Sequence, residues 1–394
     1  MMGLWTRTFD PMGSNVSQLE QQLAELQSQP ELSAEGSAQL VDTLIVLSSA
    51  LTNSDVPRAL ATAEEAHALS RRLDHPHAAA TSLMRLSWLH LQSGAFENAV
   101  LEAREALFFG EQLQDYSLKA GATYILASAQ QLAGNYAKAE NYWLGLLNMA
   151  REHSDYAREA DYLLCLGILH QEQNDFQRTL EYKLQAHSIY VSIGDSNHIA
   201  AKNNVAFAMT KLDQDESAVA WAMRALDGCD ASWHGWRAMI LHTLGTAYMN
   251  LRRYDQANAC LCEGLALSTA SAGRKYTSAQ ILLDVSKLEL VHNNVPAAFA
   301  ALDRAASLAR EAHILHLEAE ANHALFRLYS LMRVPDQAND YHAEYLRCRH
   351  QIGCKRMERQ VSVIRVDAEA AQREPAWQSA WAQESQRNAS ALLG

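Results

Sequence analysis

A small residue recurs along the chain at a nearly constant interval, and this repeat constrains the fold more than any other feature. The recurring positions are 39 to 41 residues apart: Ala59, Ala99, Ala139, Thr179, Ala218, Ala257, Ala297 and Ala338. An aromatic residue often stands three positions earlier, as at Phe96, Tyr136, Phe176 and Tyr254. Self-similarity at such a period is the signature of stacked repeats, in which each unit packs on its neighbours.

Each repeat unit is predicted to be a pair of helices. No proline occurs between Pro76 and Pro296, and proline is the residue that most strongly disrupts a helix interior. Twelve residues before the recurring position the residue is also small in most units: Ser87, Ala127, Gly167, Ala206 and Gly245. Small facing residues let two helices approach closely, to about 8–10 Å. We therefore expect an all-α chain of helix hairpins.

The units resemble tetratricopeptide repeats, most plainly in the segments Leu86–Leu107 and Leu244–Leu265. The resemblance covers eight units over about residues 36–353, each about 40 residues long where the common unit has about 34. Long units of this kind are similar to those of bacterial signalling proteins. The resemblance implies a right-handed α-solenoid whose concave groove binds another polypeptide.

Residues 1–35 are predicted to be a tail followed by a capping helix. Ser17 and Glu20 match a capping box, and Val16, Leu19, Leu23 and Leu26 form one apolar stripe. Terminal units with an atypical sequence commonly close the open end of a solenoid.

A heptad pattern follows the last repeat, within residues 354–374. It comprises Met357, Val361, Ile364, Ala368 and Ala371, flanked by charged residues. Two interpretations remain open: the helix folds back as a cap on the eighth repeat, or it pairs weakly with a second copy through Met357, Val361, Ile364 and Ala368. Residues 375–394 are predicted to form a flexible tail.

The run Tyr341–Glu374 also resembles the segment that follows the last repeat in bacterial tetratricopeptide proteins with a C-terminal output domain. Those outputs include diguanylate cyclases, cyclic-di-GMP phosphodiesterases and sensor kinases. Only residues 375–394 follow here, so the resemblance implies either a sensor or scaffold whose output lies on another chain, or a truncated relative.

The composition excludes several classes of function. The formal net charge is -12, which argues against binding to nucleic acids or anionic membranes, because both require clustered basic residues. No apolar run is long enough to span a bilayer, and no signal peptide is recognisable. The 6 scattered cysteines suggest reduced thiols, so we expect a cytoplasmic protein.

No pattern of catalytic or metal-binding residues stands out. The chain has no Cys-x-x-Cys motif, no phosphate-binding glycine loop and no Gly-x-Ser-x-Gly elbow. His313, His316 and His323 are candidates for spatial proximity, but such a grouping is expected by chance among 16 histidines. We therefore expect no enzyme activity, no cofactor and no metal.

The resemblance assigns groove positions to the first helix of each unit, counted back from the recurring small residue. The partner-binding residues so predicted are Arg85, Trp88, Tyr124, Ser128, Gln131, Asn203, Asn204, Phe207, Lys211, His242, Thr246, Asn250, His323 and Arg327. Asparagine both donates and accepts hydrogen bonds, so Asn203 and Asn204 are suited to hold an extended peptide backbone. The alternative is that Asn204 only bridges adjacent helices.

Three function classes remain. The favoured one is a non-enzymatic scaffold or sensor for protein partners, and the runner-up is a receptor for a short signalling peptide, with a subunit of an enzyme third. One residue resists assignment: Asp284 stands where other units carry Leu or Val. Either the repeat register shifts there, or the carboxylate has a partner.

Overall fold

The computed structural model describes residues 16–29, 33–52, 54–73, 75–270 and 275–393. Within these residues the chain forms seventeen helices and no strand. The first nine are α1 (Val16–Gln27), α2 (Ala34–Leu51), α3 (Val56–Arg72), α4 (Pro76–Ser93), α5 (Phe96–Gln112), α6 (Tyr116–Leu132), α7 (Tyr136–Glu152), α8 (Tyr156–Glu172) and α9 (Phe176–Ser192). The remaining eight are α10 (His198–Thr210), α11 (Asp215–Asp227), α12 (His234–Asn250), α13 (Tyr254–Ala270), α14 (Lys275–Val291), α15 (Val295–Glu311), α16 (Leu315–Leu331) and α17 (Pro335–Leu393).

After α1 the helices pair in chain order into eight hairpins, from α2–α3 to α16–α17. The aromatic residues of the repeat each begin a second helix, as Phe96 begins α5 and Tyr136 begins α7. The small recurring residues lie one turn further on and are buried, Ala99 and Ala139 each at 0% exposure. The prediction of an all-α repeat solenoid is therefore confirmed.

The chain divides into two compact units. Unit 1 comprises Met1–Ser154 together with Arg356–Gly394, and unit 2 comprises Asp155–Lys355. The long helix α17 thus contributes its first part to unit 2 and the rest to unit 1. The sequence predicted one array over residues 36–353 without this division.

In unit 1 the helix α1 packs against α2, and the apolar stripe Val16, Leu19 and Leu23 contacts a core that contains Leu47 and Leu51. A serine in each of two successive hairpins fastens the first helix to the second. Ser48 Oγ donates to Ala59 O at 2.8 Å, and Ser87 Oγ donates to Ala99 O at 2.6 Å. Ser48 stands 11 residues before its acceptor and Ser87 stands 12 before its own, so neighbouring positions of the first helix serve the same contact.

The C-terminal part of α17 packs on α5 and α7 in unit 1. One helix face is covered there, with Val363 and Val366 each 1% exposed and Ala370 5% exposed. Further along, the ring centroid of Trp377 lies 6.0 Å from that of Phe108.

The region 375–394, predicted as a flexible tail, is therefore helical as far as Leu393, and Pro375 lies inside the helix. The sequence alone did not show that Trp377 and Trp381 have aromatic partners elsewhere in the chain, so this segment was not predicted to be helical. Trp381, whose ring centroid lies 6.3 Å from that of Phe109, adds a second aromatic contact.

In unit 2 one repeat is out of the predicted register. The helix α15 begins at Val295, with Pro296 in its first turn, and the fully buried alanine is Ala298 at 0% exposure. Ala297, the predicted position, is only half-buried. The residue equivalent to Leu244 is accordingly Val285, and Asp284 moves by one position toward the groove.

Candidate binding groove

The first helices of the last four hairpins form a continuous surface in unit 2. Helix α10 contacts α12, α12 contacts α14, and α14 contacts α16. We call this the first-helix surface. Nine of the predicted partner-binding residues belong to these four helices or the residue that follows them: Asn203, Asn204, Phe207, Lys211, His242, Thr246, Asn250, His323 and Arg327.

A buried carboxylate lies at the centre of the first-helix surface. Asp284 on α14 is 8% exposed, and its Oδ2 is 3.0 Å from His242 Nε2 and accepts a hydrogen bond from Thr246 Oγ1 at 2.9 Å. Its Oδ1 accepts from Lys287 Nζ at 2.8 Å, and Lys287 lies 4.0 Å from Glu320 on α16. Both open interpretations of Asp284 therefore hold, because the register shifts and the carboxylate has three partners.

These partners control the charge of Asp284. Burial alone would raise the pKa of the carboxyl group, because it disfavours the charged form. The hydrogen bond from His242 and the nearby charges of His242 and Lys287 together outweigh burial and hold the pKa well below its usual range. The network therefore carries a fixed negative charge surrounded by donors, and it joins α12 to α14.

A second polar contact fixes the end of α12. Asn250 Nδ2 donates to Asp215 Oδ1 at 2.9 Å, and Asp215 is the first residue of α11. The Asn250 side chain therefore links the end of α12 to the start of α11, although it is exposed.

A lysine from a second helix lies beneath the aromatic residue of α10. Lys183 of α9 is 2% exposed, its Nζ donates to Gln171 Oε1 at 2.7 Å, and it lies 5.4 Å from the ring centroid of Phe207. Lys211 Nζ lies 5.3 Å from the same centroid. Burial lowers the pKa of Lys183 to about 7. Phe207 is thus held between two amines, which favours a fixed ring position.

Two carboxamides on α10 have hydrogen-bonding capacity that the fold does not use. Within the described residues, the buried Oδ1 of Asn203 has no hydrogen-bond partner. Asn204 is half-buried, and its side chain takes part in none of the hydrogen bonds found among the described residues. The interpretation that Asn204 bridges neighbouring helices therefore lacks a contact to support it.

The predicted groove residues of unit 1 are placed differently. Arg85 Nη2 donates to Ser48 O at 2.9 Å, and Trp143 Nε1 donates to Gln131 Oε1 at 3.2 Å. The ring of Tyr124 meets those of Trp88 and Trp143 edge-on, with centroids 6.4 Å and 4.9 Å away. None of the five predicted residues exceeds 6% exposure: Arg85, Trp88, Tyr124, Ser128 and Gln131. Their exposure is therefore as low as that of Asn203, which is 4% exposed.

The far end of the first-helix surface is aromatic and partly exposed. The ring of His323 lies 4.9 Å from that of Tyr345, and Phe326 stacks on His342 at 4.5 Å between centroids. Arg327 is exposed beside them. A histidine and an arginine therefore border a flat aromatic patch.

Sequence reasoning missed Lys183. A signal existed, since the equivalent residues of other hairpins are apolar and buried: Ala63, Ala103, Trp143, Ala222 and Leu261. A lysine at such a position indicates an internal acceptor, here Gln171.

Two kinds of feature are absent from the described residues, a metal-binding cluster and a membrane-spanning helix. No three His, Cys, Asp or Glu side chains are grouped as metal ligands would be. No described helix is both long and apolar enough to cross a bilayer.

The fold is that of tetratricopeptide-like repeat proteins. The apo form of RapI superposes with a TM-score of 0.60 at 13% identity, over 85% of this chain and 98% of the other. A Rap protein in complex with Competence and Sporulation Factor gives a TM-score of 0.52 at 14% identity, over 89% and 96%. The apo quorum sensor NprR from B. thuringiensis gives 0.51 at 14% identity, over 90% and 99%. No family model matches the chain, and no curated protein matches its sequence.

Proposed function

We propose that this protein is a non-enzymatic scaffold or sensor that binds an extended polypeptide segment along the first-helix surface of unit 2. The observation that carries the proposal is the pair of carboxamides on α10. Asn204 is half-buried at the surface, and Asn203 beside it is 4% exposed, with an Oδ1 that lacks a partner among the described residues. An extended peptide offers N–H and C=O groups that match such carboxamides irrespective of its side chains.

The neighbouring side chains supply further contacts for a peptide. Phe207 presents a half-buried ring between the amines of Lys183 and Lys211. His323 and Arg327 are exposed on α16 and are suited to hydrogen bonds or acidic side chains. By contrast, His242 and Thr246 already bind Asp284, so their role in the proposal is to shape the surface.

The test is a selection of short peptides from a random library on the intact chain, followed by affinity measurements on variants. Asn203→Ala and Asn204→Ala should weaken peptide binding roughly 5- to 150-fold, because backbone groups of the peptide lose partners worth about 1–3 kcal/mol. Their melting temperatures should change little, since neither carboxamide makes a described hydrogen bond within the fold. Asn258→Ala, on an exposed position of α13, is the matched control and should bind normally.

One outcome would contradict the proposal. If the asparagine variants melt early yet bind normally once folded, the asparagines serve the fold and the binding surface lies elsewhere.

A receptor for a short signalling peptide is the second candidate. It is supported by the shared fold with a Rap protein bound to Competence and Sporulation Factor and with the quorum sensor NprR. Capture from extract of the source cells separates the candidates, since a scaffold retains a folded protein and a receptor releases a small peptide on heating.

A further inference from the structure

The C-terminal part of α17 has two distinct apolar faces, and only one is covered. Val363, Val366 and Ala370 face α5 and α7 and are at most 5% exposed. The heptad residues Met357, Val361 and Ile364 are 67%, 60% and 71% exposed. At 100° per residue, the centre of the heptad face lies about 150° around the helix from the centre of the covered face.

Polar contacts fix the orientation of the helix on unit 1. Ser362 Oγ donates to Glu97 Oε1 at 2.8 Å, and Arg365 also pairs with Glu97. Asp367 pairs with Arg104, and lies 3.9 Å from Lys138. The helix therefore does not need its heptad face for its packing on unit 1, and that face points away from it.

We infer that the heptad face of α17 is the contact surface for a second copy of this chain, and that the two helices run antiparallel. In heptad terms Val361 and Ala368 are a positions, and Met357, Ile364 and Ala371 are d positions. A twofold axis between Val361 and Ile364 places Val361 against Ile364 of the second copy. The same axis places Met357 against Ala368 of the second copy, so a large side chain meets a small one at each end.

Charge complementarity selects this partner and this direction. Glu358 and Arg365 are exposed e positions, and in the antiparallel pair each Glu358 faces Arg365 of the second copy. The symmetry forms this pair twice. Arg365 is 62% exposed at its side chain, so it is accessible to a second carboxylate while it pairs with Glu97. A parallel pair in register would instead place Gln360 against Arg365 and Asp367 against Gln372, which forms no opposite-charge pair.

Sedimentation equilibrium of the full chain tests the surface. The wild-type mass should rise from one copy to two with concentration, and Ile364→Glu should raise the dissociation constant about tenfold or more. Leu331→Glu is the matched control, because Leu331 is 78% exposed but lies on α16. The inference would be overturned if the wild-type chain stayed monomeric or if the dimer survived Ile364→Glu. Loss of the dimer in the Leu331→Glu control alone would also overturn it.

A charge-swap experiment tests the direction. Glu358→Arg and Arg365→Glu should each weaken self-association, because each homodimer then contains two like-charge pairs. A mixture of the two variants should associate at least as well as wild type, because both pairs in the mixed dimer are attractive. A mixture no better than either variant alone would rule out the antiparallel arrangement. Cooperative melting curves would show that the variants are folded, with some loss of stability expected for Arg365→Glu because it places a carboxylate beside Glu97.

Discussion

Lys183 donates its buried amine to Gln171, and this pair occupies the positions that Trp143 and Gln131 occupy in the preceding hairpin. The Nζ–Oε1 distance is 2.7 Å and the Nε1–Oε1 distance is 3.2 Å. In both hairpins a glutamine on the first helix accepts from a residue on the second helix. The same backbone site therefore holds an indole in one repeat and an amine in the next.

The buried amine predicts a pH-dependent stability. Burial lowers the pKa of Lys183 to about 7, whereas an unfolded lysine has a pKa of about 10.4. Between these values the unfolded chain binds more protons, so the free energy of unfolding rises with pH across this window and is constant below it. The expected contribution is on the order of a few kcal/mol.

Chemical denaturation of Lys183→Met at several pH values checks this. The difference in stability between wild type and variant should change from pH 7 to pH 10 in favour of wild type. Lys138→Met, on a side chain that is 64% exposed, is the control and should follow wild type. A constant difference for Lys183→Met would show that the amine titrates normally.

Two glycine substitutions should act in opposite directions. A Cβ at Gly245 would lie 2.6 Å from Leu261 Cδ2, so Gly245→Ala should destabilise unit 2 by about 1–3 kcal/mol through overpacking. A Cβ at Gly145 meets nothing within 4 Å inside α7, so Gly145→Ala should stabilise by about 0.5–1 kcal/mol. Thermal unfolding followed by circular dichroism measures both. Equal shifts would contradict the packing argument.

Removal of the buried carboxylate should destabilise the link between α12 and α14. Asp284→Ala leaves the donors of His242, Thr246 and Lys287 without their acceptor, at a cost of about 1–3 kcal/mol. Because the folded pKa of Asp284 lies below its unfolded value, its contribution is present at neutral pH and is lost in acid. Urea denaturation at neutral and acidic pH should show the variant deficit shrinking as pH falls. Glu320→Ala, at a 54% exposed side chain, should cost much less.

The two faces of α17 should respond differently to the same change. Val363→Asp places a carboxylate at a position that is 1% exposed, so it should destabilise unit 1 by about 3 kcal/mol or more. Val361→Asp, two residues earlier and 60% exposed, should leave the melting temperature of the monomer nearly unchanged. If both variants melt at the same reduced temperature, the helix does not pack by the Val363 face.

The helix hairpins could be predicted from the sequence because close helix packing requires small residues at a regular spacing. The sequence was insufficient at Ala298, where Ala297, Ala298 and Ala301 are equally small and the pattern gives no way to choose among them. The burial of Trp88 and Tyr124 was also beyond it. The repeat register predicts which face of the helix a side chain occupies. It does not predict how exposed that face is, because exposure depends on the tertiary structure. The burial of Lys183 could not be predicted either, because its acceptor, Gln171, lies on another helix.

The buried lysine has a consequence for how the array opens. In a linear array the stability of each repeat adds to that of its neighbours, and separate repeats can open independently. The hairpin α8–α9 contains an amine whose protonation is disfavoured by burial, so lowering the pH from about 10 to about 7 weakens this hairpin selectively. Unfolding that begins at an internal repeat leaves folded repeats on either side of the opening. As the pH falls from about 10 to about 7, amide exchange in α9 should then increase relative to the chemical exchange rate, before it does so in the flanking helices.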